Sequence, residues 1–124
     1  KVSQRTKIAD AVLGIDMGYV DKRAKHALQL LESLWPGMQA VRIMGSAALG
    51  LAYAAAGRFD MYSHHHLAPW DVVSGLLLVD EAGGIITDRR GTTATLYSES
   101  VIASNISLHT DFMRLSHGTP WRED

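Results

Sequence analysis

With 124 residues, 47% of them apolar, and 12 basic against 13 acidic side chains for a formal net charge of −1, the chain fits one soluble domain with a real core; without a basic stripe interleaved with aromatics, it argues against nucleic-acid or anionic-lipid partners. The absence of cysteine removes disulfides and thiolate metal sites and agrees with a cytoplasmic protein, and the lack of a signal-like start or of about 18 uninterrupted apolar residues argues against secretion or a membrane span. The opening KVSQRTKIAD has no methionine and does not resemble an initiator segment, so we expect a chain cut from, or observed as part of, a longer one.

Taken in order, Ala11–Asp16, with its apolar AVLGI, reads as a buried strand followed by a turn at Gly18. Asp21–Trp35 sets Ala24, Ala27, Leu28, Leu31 and Leu34 on one helical face, and Pro36-Gly37 ends that helix. Ala40–Met44 is a second short strand, and Ser46–Ala56 is a small alanine-rich helix closed by Gly57. Phe59–Ser63 is a third strand. Pro69–Gly84, reading PWDVVSGLLLVDEAGG, predicts a helix that starts on proline and stops at Gly83-Gly84; Val72, Val73, Leu76, Leu77, Leu78, Val79 and Ala82 occupy nearly every angle around it, so it is expected to be buried on all sides. Ile85–Asp88, a turn at Arg89-Arg90-Gly91, a short extension at Ala94–Tyr97 and a strand at Ser100–Ser104 follow, and Asn105 caps a last helix to about Ser116. Five strands with intervening helices imply the α/β class: a three-layer sandwich with a mixed, largely parallel sheet of about five strands flanked by helices.

Three spots carry chemistry. Asp71 stands at the positive end of an apolar helix, where a carboxylate caps free amides, a gain of about 0.5 to 2 kcal/mol, or ligates a cation. At Gly45-Ser46-Ala47 a strand feeds a helix through a turn that offers two or three unpaired amides and a hydroxyl; Ser46 serves there as an ordinary helix cap, or the turn faces a phosphoester oxygen or sugar hydroxyl. His64, His65 and His66 are consecutive, so their side chains diverge, at most His64 and His66 share a face, and a solvated turn is the expected reading over a metal site. Arg42 and Arg58 are expected to form structural ion pairs, Asp80 and Glu81 a solvated patch, and Met38, Met44, Met61 and Trp35 core or interface packing.

The WD of Trp70-Asp71, the apolar run behind it and EAGG at Glu81–Gly84 resemble the C-terminal signature of the inositol monophosphatase family of Mg²⁺-dependent, lithium-sensitive sugar and nucleotide phosphatases. Arg42-Ile43-Met44-Gly45-Ser46-Ala47-Ala48-Leu49 is similar to the family's arginine, two residues, glycine, serine or threonine, alanine, alanine turn. Ala56-Gly57-Arg58-Phe59-Asp60 resembles its alanine, glycine, two variable residues, aspartate stretch, and Val101-Ile102-Ala103-Ser104-Asn105 the strand before its last helix. The likeness is close over residues 40–112 and looser over 9–35.

The resemblance implies the C-terminal domain of such an enzyme, residues 1–124, without its N-terminal metal-binding domain. The family's early glutamate and its D-P-I/L-D-G-T loop do not occur in this sequence. A lone aspartate cannot hold two or three Mg²⁺ ions, so the chain by itself is expected to be inert. In the complete enzyme that the likeness implies, water on one Mg²⁺ attacks phosphorus in line, a second Mg²⁺ stabilises the departing alkoxide, and Asp71 ligates that second ion. Gly45, Ser46 and Ala47 carry over as contacts to the substrate's alcohol portion, with Gly45 permitting close approach, and Trp70 as the anchor of its turn. His64 stands seven positions before Asp71, where inositol-hydrolysing members usually carry a glutamate that accepts from a ring hydroxyl; histidine there weakens the case for inositol and leaves room for a more anionic substrate such as a bisphosphate. Tyr19 and Val20 replace the family's hydroxylic residues after the first strand; Tyr19 either donates a phenolic hydrogen bond or packs in the core. A homodimer of the full-length protein and a small phosphorylated substrate are the implied partners. The competing reading is a non-catalytic α/β ligand-binding or assembly domain that keeps the scaffold without the chemistry.

Overall fold

Along β1 (Val12–Asp16), Leu13 and Ile15 turn to one side of the sheet and Val12 and Gly14 to the other, the two-residue period of a strand covered on both faces. The computed structural model describes residues 1–18, 20–65 and 67–123; the readings made for Tyr19 and His66 lie outside the described residues. β2 (Ala40–Ile43), β3 (Met61–His64), β4 (Ile85–Thr87) and β5 (Val101–Ser104) complete one sheet in the order β2-β1-β3-β5-β4. β1 pairs in parallel with β2 and β3, whereas β5 pairs antiparallel with β3 and β4. Four strands thus point one way and β5 alone is reversed.

Helices lie on both faces. α1 (Asp21–Leu34), α4 (Ile106–Ser116) and α5 (Pro120–Glu123) cover the face of Leu13, Ile15, Met61 and Ile102, where Trp121 is fully buried with its ring edge-on to Phe112 at 5.6 Å. Truncating such a residue costs about 3–5 kcal/mol. α2 (Ala47–Ala55) and α3 (Pro69–Glu81) pack together over the other face, against Tyr62, Ile86, Val101 and Ala103. That contact is close because Gly75 lacks a side chain where a Cβ would lie 2.4 Å from Leu51 Cδ1. Among the described residues no helix is long and apolar enough to cross a membrane.

Four expectations are corrected. α3 is not buried all round: Val72, Gly75 and Val79 are, but Trp70 is 78% exposed and Val73, Leu77 and Leu78 are open, because only one side of the helix meets α2 and the sheet. In α1 the buried residues are Ala27, Leu30 and Leu34, while Leu28 faces outward, since the stripe facing the sheet follows three- and four-residue steps through Leu30. β3 begins at Met61 rather than Phe59, because Asp60 is diverted: its Oδ2 accepts the Val12 amide at 2.6 Å and its Oδ1 the Ser3 hydroxyl. Residues 94–97 form no strand; the Ala94 amide still reaches the Ile86 carbonyl at 3.0 Å, next to the bridge between Thr87 and Thr93, but Thr95 and Tyr97 then turn onto local partners, the Thr95 amide donating to Ser98 Oγ at 2.9 Å and the Tyr97 amide to Thr95 Oγ1 at 3.2 Å. The short 3-10 turn Ile8–Asp10 and α5 were not anticipated.

Candidate functional site

β1 and β2 leave the sheet edge toward helices on opposite faces, which opens a crevice at their carboxyl ends, the place where open α/β sheets bind ligands. A cavity of about 560 Å³ occupies it, lined by Asp16, Gly45, Ser46, Ala47, His64 and Asp71 together with Gly18, Leu67, Ala68 and Trp70. The structure therefore gathers the five residues that the resemblance assigns to the metal and substrate, Asp71, Gly45, Ser46, Ala47 and His64, around one space.

The turn after β2 is built from backbone requirements. Gly45 has φ of +75°, a conformation that favours glycine, and a Cβ there would meet no atom within 4 Å, so conformation rather than crowding selects glycine. Ser46 is the N-cap of α2, its Oγ accepting the Leu49 amide at 3.3 Å. Among the described residues nothing accepts its hydroxyl hydrogen. The Gly45 amide is not available, contrary to a simple reading of the turn: it donates to Asp16 Oδ1 at 2.6 Å, and the Met44 amide donates to the same oxygen at 3.1 Å. At this turn the amides of Ser46, Ala47 and Ala48 have no acceptor among the described residues, and the last two open α2, where the helix dipole favours an anion.

Asp71 sits in the first turn of α3. Its Oδ2 accepts the Ala68 amide at 2.9 Å, reaching back to the residue before the helix, and its Oδ1 accepts nothing among the described residues. It is half-buried on the cavity wall. Asp71 thus acts as a cap with one oxygen and offers the other to the cavity.

Asp16 is the residue that sequence reasoning passed over. It closes β1, is 5% exposed, and spends both oxygens: Oδ1 on the turn and Oδ2 on the Tyr62 hydroxyl at 2.6 Å. Burial first, then the bond to Asp16, holds the Tyr62 phenol well above its usual range, so it remains a donor. The usable signal was an acid ending an otherwise apolar strand, AVLGID.

The histidines are corrected. His64 ends β3 opposite Asp16 and is buried, and His65 is fully buried with its ring 5.3 Å from that of Trp121, so neither belongs to a solvated turn. Arg42 and Arg58 make no ion pair among the described residues: Arg42 donates to the Val41 carbonyl, and Arg58 lies over the Tyr53 ring at 5.5 Å.

Among the described residues no group of three or more histidine or acidic side chains is placed to hold a metal. Mg²⁺ demands near-octahedral oxygen ligation. One free oxygen on Asp71, with those of Asp16 already engaged, does not meet that demand, so these residues do not fit a complete Mg²⁺ site by themselves.

Comparison with known proteins places the chain among relatives of known kind. Inositol-1-monophosphatase of Mesorhizobium japonicum is 41% identical over 107 residues, covering 85% of this chain and 40% of that protein. The fructose-1,6-bisphosphatase/inositol-1-monophosphatase of Thermotoga maritima is 36% identical over 115 residues, covering 93% and 43%. The crystal structure of extragenic suppressor protein suhB from Bartonella henselae superposes with a TM-score of 0.85 at 34% identity, covering 95% of this chain and 46% of that one. The chain therefore spans less than half the length of these relatives. The inositol monophosphatase family model matches residues 1–119, and with that match the chain belongs to the inositol monophosphatase family.

Proposed function

We propose that this chain is the C-terminal, substrate-side half of a Mg²⁺-dependent phosphomonoesterase acting on a small phosphorylated sugar, inositol or nucleotide, and that an N-terminal half supplies the remaining metal ligands. One observation carries the reading: the unpaired Oδ1 of Asp71 and the open amides of Ala47 and Ala48 line the same cavity, a cation ligand facing an anion cradle. Relatives of more than twice the length, and the bare apolar side of α3 at Val73, Leu77 and Leu78, support a missing half that covers this helix. Without it the chain is inert.

In the complete enzyme the Oδ1 of Asp71 would be one ligand of a Mg²⁺ ion, which would supply charge neutralisation at the phosphoryl group. The Ser46 hydroxyl and the Ala47 amide donate to the substrate, and the open side of Gly45 admits its alcohol portion. His64 meets the substrate from the end of β3, and an imidazole, cationic when protonated, suits a bisphosphate better than a bare polyol. We place the complete protein in the cytoplasm as a homodimer.

The test is phosphate release by the complete protein, with and without Mg²⁺, from inositol phosphate, fructose bisphosphate, adenosine bisphosphate and histidinol phosphate. Mg²⁺-dependent release from at least one, with the bisphosphates ahead of inositol phosphate, is expected. No release from any would favour the non-catalytic ligand-binding or assembly domain.

A further inference from the structure

We propose that Asp16 is a positioning residue that sets the donor face of the Gly45-Ser46 turn toward the substrate; this rests on the phosphatase reading above. A single carboxylate oxygen receives two successive amides, Met44 at 3.1 Å and Gly45 at 2.6 Å, which fixes the orientation of both peptide groups. Gly45 at φ of +75° is the one joint in the turn with wide conformational freedom, so its peptide is the one that needs a lock. With the Met44 and Gly45 amides held inward, the next donors, the Ser46 hydroxyl and the Ala47 and Ala48 amides, are presented to the cavity.

Asp16 is itself held. Tyr62 donates to its second oxygen at 2.6 Å, and the Tyr62 ring lies in a notch that exists because residue 50 is glycine, where a Cβ would stand 2.1 Å from the ring. Gly50, Tyr62, Asp16 and Gly45 therefore form one chain of contacts from the α2 interior to the substrate turn. The acid is buried and its oxygens already accept three hydrogen bonds, which is the environment of a brace and not of a metal ligand.

The test compares Asp16→Ala, Asp16→Asn and Tyr62→Phe in the complete protein, using the phosphomonoester it hydrolyses best. Asp16→Ala is expected to raise KM about tenfold or more with a smaller loss in kcat, and to speed amide exchange at Met44 and Gly45. Asn offers the same two amides a carbonyl oxygen and donates its NH₂ to the Tyr62 oxygen, so Asp16→Asn is expected to restore KM to within about threefold and to recover the exchange protection. Tyr62→Phe, which keeps the ring in its notch, is expected to fall between the two and carries the test where Asp16→Ala does not fold. Titration with inorganic phosphate reads the same turn without turnover, and its Kd is expected to weaken in parallel with KM.

Unchanged KM and exchange in Asp16→Ala and Tyr62→Phe would overturn the proposal. So would an Asp16→Asn no better than Asp16→Ala, or a variant whose half-saturating Mg²⁺ rises while KM stays fixed. If the wild-type protein binds phosphate and loses that binding in Asp16→Ala but hydrolyses no ester in the panel, the phosphatase reading fails and the brace stands.

Discussion

Asp71 Oδ2 lies 2.9 Å from the amide of Ala68, three residues earlier, so one carboxylate both closes the first turn of α3 and faces the cavity with its other oxygen. The two duties separate on substitution. Asparagine keeps an oxygen for the Ala68 amide and loses the negative charge that a cation requires. In the complete protein Asp71→Asn is expected to cut phosphate release at least about a hundredfold at saturating Mg²⁺, with unfolding stability within about 1 kcal/mol of wild type. Turnover near that of wild type would show that Asp71 is a cap alone.

Gly50 is the tightest of the helix glycines around the site, since an added Cβ would stand 2.1 Å from Cε1 and 2.5 Å from Cδ1 of Tyr62. The ring is enclosed and its hydroxyl is committed to Asp16, so it has little room to yield. Gly50→Ala is expected to destabilise by about 1–3 kcal/mol, seen as a lower urea midpoint at unchanged slope. Pairing it with Tyr62→Leu is expected to recover part of that loss, because the clash is removed with the ring.

Legibility in the sequence followed the range of the interaction. Caps and turns are local, and they stood where the residues placed them: Ser46 and Asn105 cap their helices, Pro69 opens α3, and Gly57 with φ of +75° follows α2. The apolar strands were legible for the same reason. Burial on α3 was not, because a helix that is apolar all round states only that something covers it, and in this chain α2 and the sheet cover one side. His65 was misread because its burial depends on Trp121, 56 positions away in sequence and on a helix too short to anticipate. At the site, Gly45, Ser46, Ala47 and Asp71 were legible through motif spacing, whereas Asp16 gains its meaning only when β1 and β2 pair in parallel and bring its carboxylate under the turn.

Asn105 joins the last helix to the start of the chain. Its Oδ1 accepts the Leu108 amide at 2.8 Å as a helix cap, while its Nδ2 donates to the carbonyls of Ser3 and Arg5, each at 2.7 Å. Aspartate preserves the cap and removes both donated bonds. Asn105→Ala is expected to cost about 1–3 kcal/mol. Asn105→Asp should fall between wild type and alanine in chemical denaturation, and should raise protease sensitivity in residues 1–7 selectively. Equal stability of the aspartate and alanine variants would assign the whole effect to the N-terminal tie.

His109 supplies a pH dependence with a fixed sign. It is buried, and its Nε2 lies 2.6 Å from Thr87 Oγ1, whose own hydrogen goes to the Asp88 carbonyl at 2.8 Å; the imidazole is therefore the donor, through a hydrogen on Nε2. Burial first, and the charge of Arg122 second, lower its pKa below the ordinary 6.5. As pH falls through 6.5 the unfolded chain takes up this proton before the folded one does. The contribution of the neutral group is thus full above 6.5 and is lost as pH drops from there through the folded-state value. His109→Gln retains an amide donor toward Thr87 and cannot titrate. Urea midpoints taken at pH 7.5, 6.5 and 5.5 should fall less steeply in the variant than in the wild type, with the other histidines contributing alike to both. A wild-type slope equal to that of the variant would mean that His109 is protonated as readily folded as unfolded, and that the Thr87 hydroxyl can turn to accommodate the cation.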